Sequence, residues 1–160
     1  AGLRVTALDV SPVMLAVARE KAAAEGLADR IAFVEAGFLG YDAPDVSYDA
    51  AVSSLTLHHL TDAWKAMALA NVRRMLKPGA RFLLVDVVYD CRGGDLDFYL
   101  ERAIDPKMPD EMRGRFYGHI ARECSTFRWI MEGMLQREGF EIEKVEKFGM
   151  MPHLFTCRRI

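Results

Sequence analysis

The sequence predicts an α/β domain: a mostly parallel sheet with helices on both faces, ending in an antiparallel hairpin. Three observations carry this expectation. Up to about residue 90, short β-favouring runs alternate with segments of helical periodicity, as βαβ units require. Arg81 to Val88 is nearly one apolar run, as suits a strand buried on both faces of a sheet. The strand-like runs Phe140 to Phe148 and Leu154 to Cys157 are joined by Gly149-Met-Met-Pro-His153, which is too short for a crossover helix. The last two strands must therefore run antiparallel.

Taken in order, Val5 to Leu8 reads as a strand with Asp9 at its end. Ser11 and Pro12 open a helix, Ser11 as N-cap and Pro12 at the first helical position. Its apolar face is expected to be Val13, Met14, Val17 and Ala18, and Gly26 stops it. Ile31 to Val34 is the next strand, Glu35 to Val46 a loop and Asp49 to Ser54 a third strand that leaves through Leu55-Thr-Leu-His-His-Leu60. A helix from about Asp62 carries Trp64, Ala68, Val72, Met75 and Leu76 at helical spacing, and Lys77-Pro-Gly79 ends it in a turn. The rhythm then breaks. Residues 90–124 form an insert rich in Gly, Pro, charges and aromatics, with short helices expected over Leu96 to Ile104 and Asp110 to Arg122. Ser125 is expected to cap the helix that presents Phe127, Ile130, Met131, Met134 and Leu135 and ends at Gly139. Phe140, Ile142 and Val145 then give the first hairpin strand its alternation.

Length and composition narrow the function. At 160 residues the chain is read as one domain, 1–160, with a sizeable core, and its net charge of −2 comes with no basic run. A nucleic-acid partner is therefore not expected. No apolar run is long enough to span a membrane and no signal-peptide pattern is visible, so no membrane partner is expected either. Cys91, Cys124 and Cys157 show neither metal-ligand spacing nor a disulfide framework, which fits a reducing compartment, expected to be the cytoplasm.

The stretch from Val5 to Ala18 carries the chemistry. A carboxylate at the carboxyl end of a strand, just ahead of a helix N-terminus, is how α/β nucleotide folds hold a ribose. An acid favoured only by the helix dipole is the alternative, and on this stretch alone the two stand level. Ser53 and Ser54 occupy the carboxyl end of another strand, where open α/β sheets bind ligands, and Ser54 is the preferred contact. His58 and His59 invite a metal reading. Adjacent histidines on a regular element point to different sides, so no metal site is expected.

Four segments, in this order, resemble the class I S-adenosylmethionine-dependent methyltransferases, in particular the small-molecule, type 11/25 group with its Rossmann-like fold. They are Leu8-Asp-Val-Ser-Pro-Val-Met-Leu15, Phe33-Val-Glu-Ala-Gly-Phe38, Tyr48-Asp49 through His58-His59-Leu60, and Leu76-Lys-Pro-Gly-Ala80 leading into Asp86. Each is weak alone, and the ordered set is strong. The resemblance implies methyl transfer from S-adenosylmethionine to a small-molecule acceptor by in-line displacement, with 90–124 as the acceptor lid. It favours Asp9 as the ribose ligand, Val10 and Met14 as walls of the nucleoside, Gly37 and Phe38 beside the adenine, and Ser54 at the methionine portion. His59, Tyr99 and His119 are the candidate bases if the acceptor must lose a proton. A homodimer is compatible with this reading.

Two departures bear on that expectation. The family's first strand and its Gly-rich loop are not among these residues, since only eight precede Asp9. The domain is accordingly read as N-terminally incomplete, with the missing strand expected between those ending at Asp9 and Ser54. The 160 residues alone are expected to bind S-adenosylmethionine weakly or not at all. Gly37 stands where relatives often carry an Asp for the adenine amino group, which leaves a backbone contact. Two rival readings remain at this point. One is a non-catalytic module that keeps the scaffold and serves a partner. The other is an NAD-dependent Rossmann oxidoreductase fragment, against which the closing hairpin argues.

Overall fold

The computed structural model describes residues 2–104, 106–147 and 151–160; of residues 103 and 119 the backbone alone is described. The chain divides into two compact units, residues 1–42 and 43–160.

In the first unit, β1 (Val5–Asp9) pairs parallel with β2 (Ile31–Glu35), Val5 opposite Ile31 and Asp9 opposite Glu35. The crossover between them is α1 (Pro12–Ala24). Ser11 caps this helix as expected, its Oγ accepting from Met14 N at 3.3 Å, and Pro12 occupies the first turn. The buried face differs from the expected one. Leu15 and Ala22 are buried, whereas Val13, Met14 and Val17 are exposed. Residues 15, 18 and 22 share one stripe at 3.6-residue periodicity, and the apolar trio on the neighbouring stripe faces away from that core.

The second unit is built on a five-stranded sheet in the order β3-β4-β7-β6, with β5 added to β4. β3 (Tyr48–Ser54) runs parallel to β4 (Leu76–Tyr89), and β7 (Pro152–Arg159) runs antiparallel to both β4 and β6 (Phe140–Lys147). The closing hairpin is thus present, and β7 extends beyond the expected Leu154 to Cys157. Phe148, expected to end the first hairpin strand, and the linker residues Gly149 and Met150 lie outside the described residues. A bulge between Ile142 and Lys144 shifts the side-chain phase by one residue. This is why Val145, rather than Lys144, follows Phe140 and Ile142 toward the interior.

β4 starts at once after α2 (Asp62–Met75), so Lys77-Pro78-Gly79 forms an irregularity within the strand rather than a separate turn. Gly79 supplies the φ of +76° that this requires, and the β3–β4 register slips there. α2 also departs from its expected face. Trp64 is exposed, and Lys65 is fully buried beside Ala68, Leu69, Val72 and Met75.

α3 (Leu96–Ala103) and α4 (Asp110–Arg122) match the two helices expected in the insert. Leu100 of α3 and Phe116 and Ile120 of α4 pack with Tyr89 and Met151, so the insert is seated at the carboxyl end of β4. Ser125 is not a cap. Thr126 and Phe127 form β5 against Val88 and Tyr89, and α5 (Arg128–Arg137) begins only after Phe127. Met131 and Leu135 of α5 are buried as expected. The sheet's core holds Phe82 against Phe140 at 5.3 Å between ring centres, with Leu84 and Phe155 fully buried.

Candidate functional site

Both units present candidate side chains at or near the carboxyl ends of their parallel strands. In the first, Asp9 ends β1 half-buried. Its Oδ1 accepts Ser11 N at 2.8 Å, and its carbonyl accepts Ala36 N at 3.1 Å. The carboxylate is therefore not the helix cap, a role held by Ser11. It pins the turn between strand and helix with one oxygen, while Oδ2 has no partner among the described residues. Val10 beside it is 72% exposed and Met14, one turn into the helix, is 55% exposed. Gly37 follows β2, and a Cβ on it would lie 2.9 Å from Val10 Cγ1. Asp9, Val10 and Gly37 are thereby brought together, with Phe38 half-buried next in the chain. The Gly37 carbonyl already accepts Gly40 N at 3.2 Å and Tyr41 N at 3.0 Å, so a backbone contact to a ligand at residue 37 would fall to its N–H.

In the second unit Ser54 is exposed at the end of β3, and its carbonyl accepts the Thr56 hydroxyl at 2.9 Å. Ser53 is buried, with its Oγ unpartnered among the described residues. Leu55 then turns the chain with φ +52°, a left-handed conformation uncommon for a residue with a side chain, and its N–H donates to Val85 O. A 3-10 turn over Leu57–His59 follows.

Asp86 of β4 is fully buried and organises that turn. Its Oδ2 accepts Leu57 N at 2.7 Å, and its Oδ1 accepts Val87 N at 2.7 Å and meets His58 Nδ1 at 2.6 Å. Opposite lies the segment from Glu123 to Thr126. Cys124 N donates to His58 O at 2.7 Å, and the buried Lys65 ammonium donates to Asp62 Oδ1 at 2.8 Å and to the Cys124 carbonyl. Thr126 Oγ1 completes the tie to Asp62 Oδ2. Adjacent histidines were expected to point to different sides. The tight turn instead brings both rings to one carboxylate, with His59 Nδ1 2.6 Å and His58 Nε2 3.7 Å from Glu123 Oε2. Glu123 is not among the expected site residues, and the sequence leaves Asp86 between facing the acceptor and capping the next turn. A lone Asp within an apolar strand is the signal for Asp86, whereas Glu123 has no sequence motif.

Of the candidate bases, His59 is half-exposed and paired with Glu123. Tyr99 is packed edge-on against Tyr89, and burial raises its phenol above the ordinary value, which keeps it protonated and disfavours it as a base. His119 lies on α4, and its side chain is outside the described residues.

The comparisons with known proteins agree with this architecture. A family model described as a methyltransferase domain matches residues 1–79. The ubiquinone/menaquinone biosynthesis C-methyltransferase UbiE of Brucella anthropi is 42% identical over 82 residues, 51% of this chain and 30% of that protein. The UbiE of Psychromonas ingrahamii is 29% identical over 144 residues, 88% of this chain and 53% of that protein. The chain thus spans about a third to a half of these relatives' length. Among solved structures, the mitomycin 7-O-methyltransferase MmcR shares the fold with a TM-score of 0.71 at 23% identity, covering 99% of this chain and 42% of that one. With its ordered motifs, its parallel strands and its closing antiparallel hairpin, the chain is similar to a methyltransferase domain over residues 1–79 and shares its fold with solved methyltransferases.

Proposed function

We propose that the chain serves methyl transfer from S-adenosylmethionine to a small-molecule acceptor by in-line displacement. The observation that carries this reading is the Asp9 carboxylate at the end of β1, turned by Ser11 and flanked by exposed Val10, within the matched residues 1–79. A carboxylate so placed can accept the paired hydroxyls of a ribose. Val10 and Met14 offer apolar walls, and the Gly37 N–H is the backbone donor beside them, the Gly37 carbonyl being held by Gly40 N and Tyr41 N. These residues fit the nucleoside end of the cofactor. When bound, the cofactor supplies a methyl group on a positively charged sulfur, an already activated leaving group. What remains for the protein is alignment and exclusion of water.

The acceptor is proposed to meet the insert. Its helices carry aromatic side chains, and a cleft of about 330 Å³ there is lined by Glu101, Ile104, Pro106, Arg113 and Tyr117. That volume and mixed lining suit a small, partly apolar molecule with a polar substituent. The free cysteines support a cytoplasmic setting for the reaction.

The test is calorimetry with S-adenosylhomocysteine and with NADH on two chains. One is these 160 residues, and the other is the same residues preceded by a strand and a Gly-rich turn of the family type. The extended chain is expected to bind S-adenosylhomocysteine, and Asp9→Ala to weaken it at least about tenfold, the scale of one charge-assisted hydrogen-bonding group. The 160 residues alone are expected to bind it weakly or not at all. NADH binding without S-adenosylhomocysteine binding would overturn the reading, and an unchanged affinity in the Asp9 variant would remove the ribose role.

A further inference from the structure

The geometry points to a divalent-cation site formed by His58, His59 and Glu123 in the second unit, suited to a borderline ion such as Zn²⁺ or Co²⁺. One ligand atom from each residue lies within 4.8 Å of the others, two of them imidazole nitrogens and one a carboxylate oxygen. Tetrahedral ligands about 2.0–2.1 Å from zinc stand roughly 3.3–3.4 Å apart, so rotation of side chains suffices to close the set. His59 Nδ1 and Glu123 Oε2, now 2.6 Å apart, would open by a fraction of an ångström, and His58 Nε2 is already 3.7 Å from that oxygen.

The surroundings of His58 hold its ring with Nε2 on the Glu123 side. Asp86 Oδ1 meets Nδ1 at 2.6 Å while also accepting Val87 N, so it acts as the acceptor and Nδ1 carries the proton. A carboxylate behind a histidine that offers its other nitrogen is the arrangement that orients metal-binding imidazoles. The site is held from three directions. Asp86 fixes the His58 ring, the Cys124 N–H holds the His58 carbonyl, and the buried Lys65 holds the Cys124 carbonyl next to Glu123. Entry is on the His59 side, whose ring is 57% exposed, and three protein ligands leave a position for water or another small ligand. Two imidazoles with one carboxylate select this class of ion over Mg²⁺ or Ca²⁺, which prefer all-oxygen shells. The site does not depend on methyl transfer, so its failure would leave that reading intact.

The test titrates the metal-stripped 160-residue chain with Co²⁺. One ion per chain is expected, with the visible absorption of a low-symmetry four- or five-coordinate site and no thiolate charge-transfer band. Zn²⁺ should displace it and raise the melting temperature. His59→Ala and Glu123→Gln, checked for folding by circular dichroism, should each weaken binding at least tenfold, and Cys124→Ser should leave it unchanged. No saturable absorption, an affinity unmoved in either variant, or a thiolate band lost in Cys124→Ser would overturn the proposal.

Discussion

Val10 Cγ1 occupies the space into which a side chain on residue 37 would grow, 2.9 Å from the ideal Cβ position. Gly37→Ala is therefore expected to lower stability by about 1 kcal/mol, because the stiff, β-branched Val10 must rotate or the loop must shift. Val10→Ala in the same chain should remove that penalty. A double-mutant cycle by urea denaturation checks it: additive effects would mean that the two side chains do not compete.

Asp86→Ala is expected to be among the most destabilising single changes, by about 3 kcal/mol, because it strands Leu57 N, Val87 N and the His58 ring. Asp86→Asn should cost less, since its amide oxygen can still accept. Chemical denaturation of both variants measures the difference.

Lys65→Met keeps the buried stem and removes the ammonium from Asp62 and the Cys124 carbonyl. A loss of about 1–3 kcal/mol is expected, the cost of one buried acceptor left unpaired, and Lys65→Ala should cost more because it also leaves a void. An unchanged denaturation midpoint in Lys65→Met would show that the ammonium does not hold the 123–126 segment.

Burial pushes the Cys157 thiol from its ordinary 9 up to about 12. The unfolded chain therefore releases this proton first as pH rises. The contribution to stability is complete below about pH 9 and is lost progressively between about pH 9 and 12. The stability difference between the parent and Cys157→Ala should shrink or change sign over that range and stay flat at lower pH. A thiol reagent at neutral pH should modify Cys157 more slowly than the half-buried Cys124.

Much of this was readable because periodicity and turn chemistry are local. Ser11 and Pro12 marked the start of α1, the short linker forced the hairpin, and the insert's helices stood between its prolines and glycines. The errors arose where tertiary contacts chose between local options. Val13, Met14 and Val17 look like a core face, yet the inward stripe is the one through Leu15 and Ala22. Trp64 has the spacing of a core residue, yet it is exposed, and the neighbouring Lys65 is buried because a carbonyl 59 positions away and Asp62 make its burial tolerable. Ser125 has the chemistry of a cap, but pairing of Thr126 and Phe127 with β4 takes the chain past it. In the candidate site, Asp9 and Gly37 lay in recognisable segments. Glu123 did not, because its meaning comes only from the turn that swings His58 and His59 toward it.

The Asp86 carboxylate has a dynamic consequence. Because it clasps Leu57 N across 29 positions of sequence, the loop after β3 cannot open without uncovering a buried charge. Its amide should exchange with solvent hydrogen only when the sheet itself gives way, whereas the Ser11 amide, held by the half-buried Asp9, can exchange through local fluctuation. The two carboxylates, one inside β4 and one at the end of β1, thus give the chain a slow and a fast region: a loop as persistent as the core and a turn that breathes.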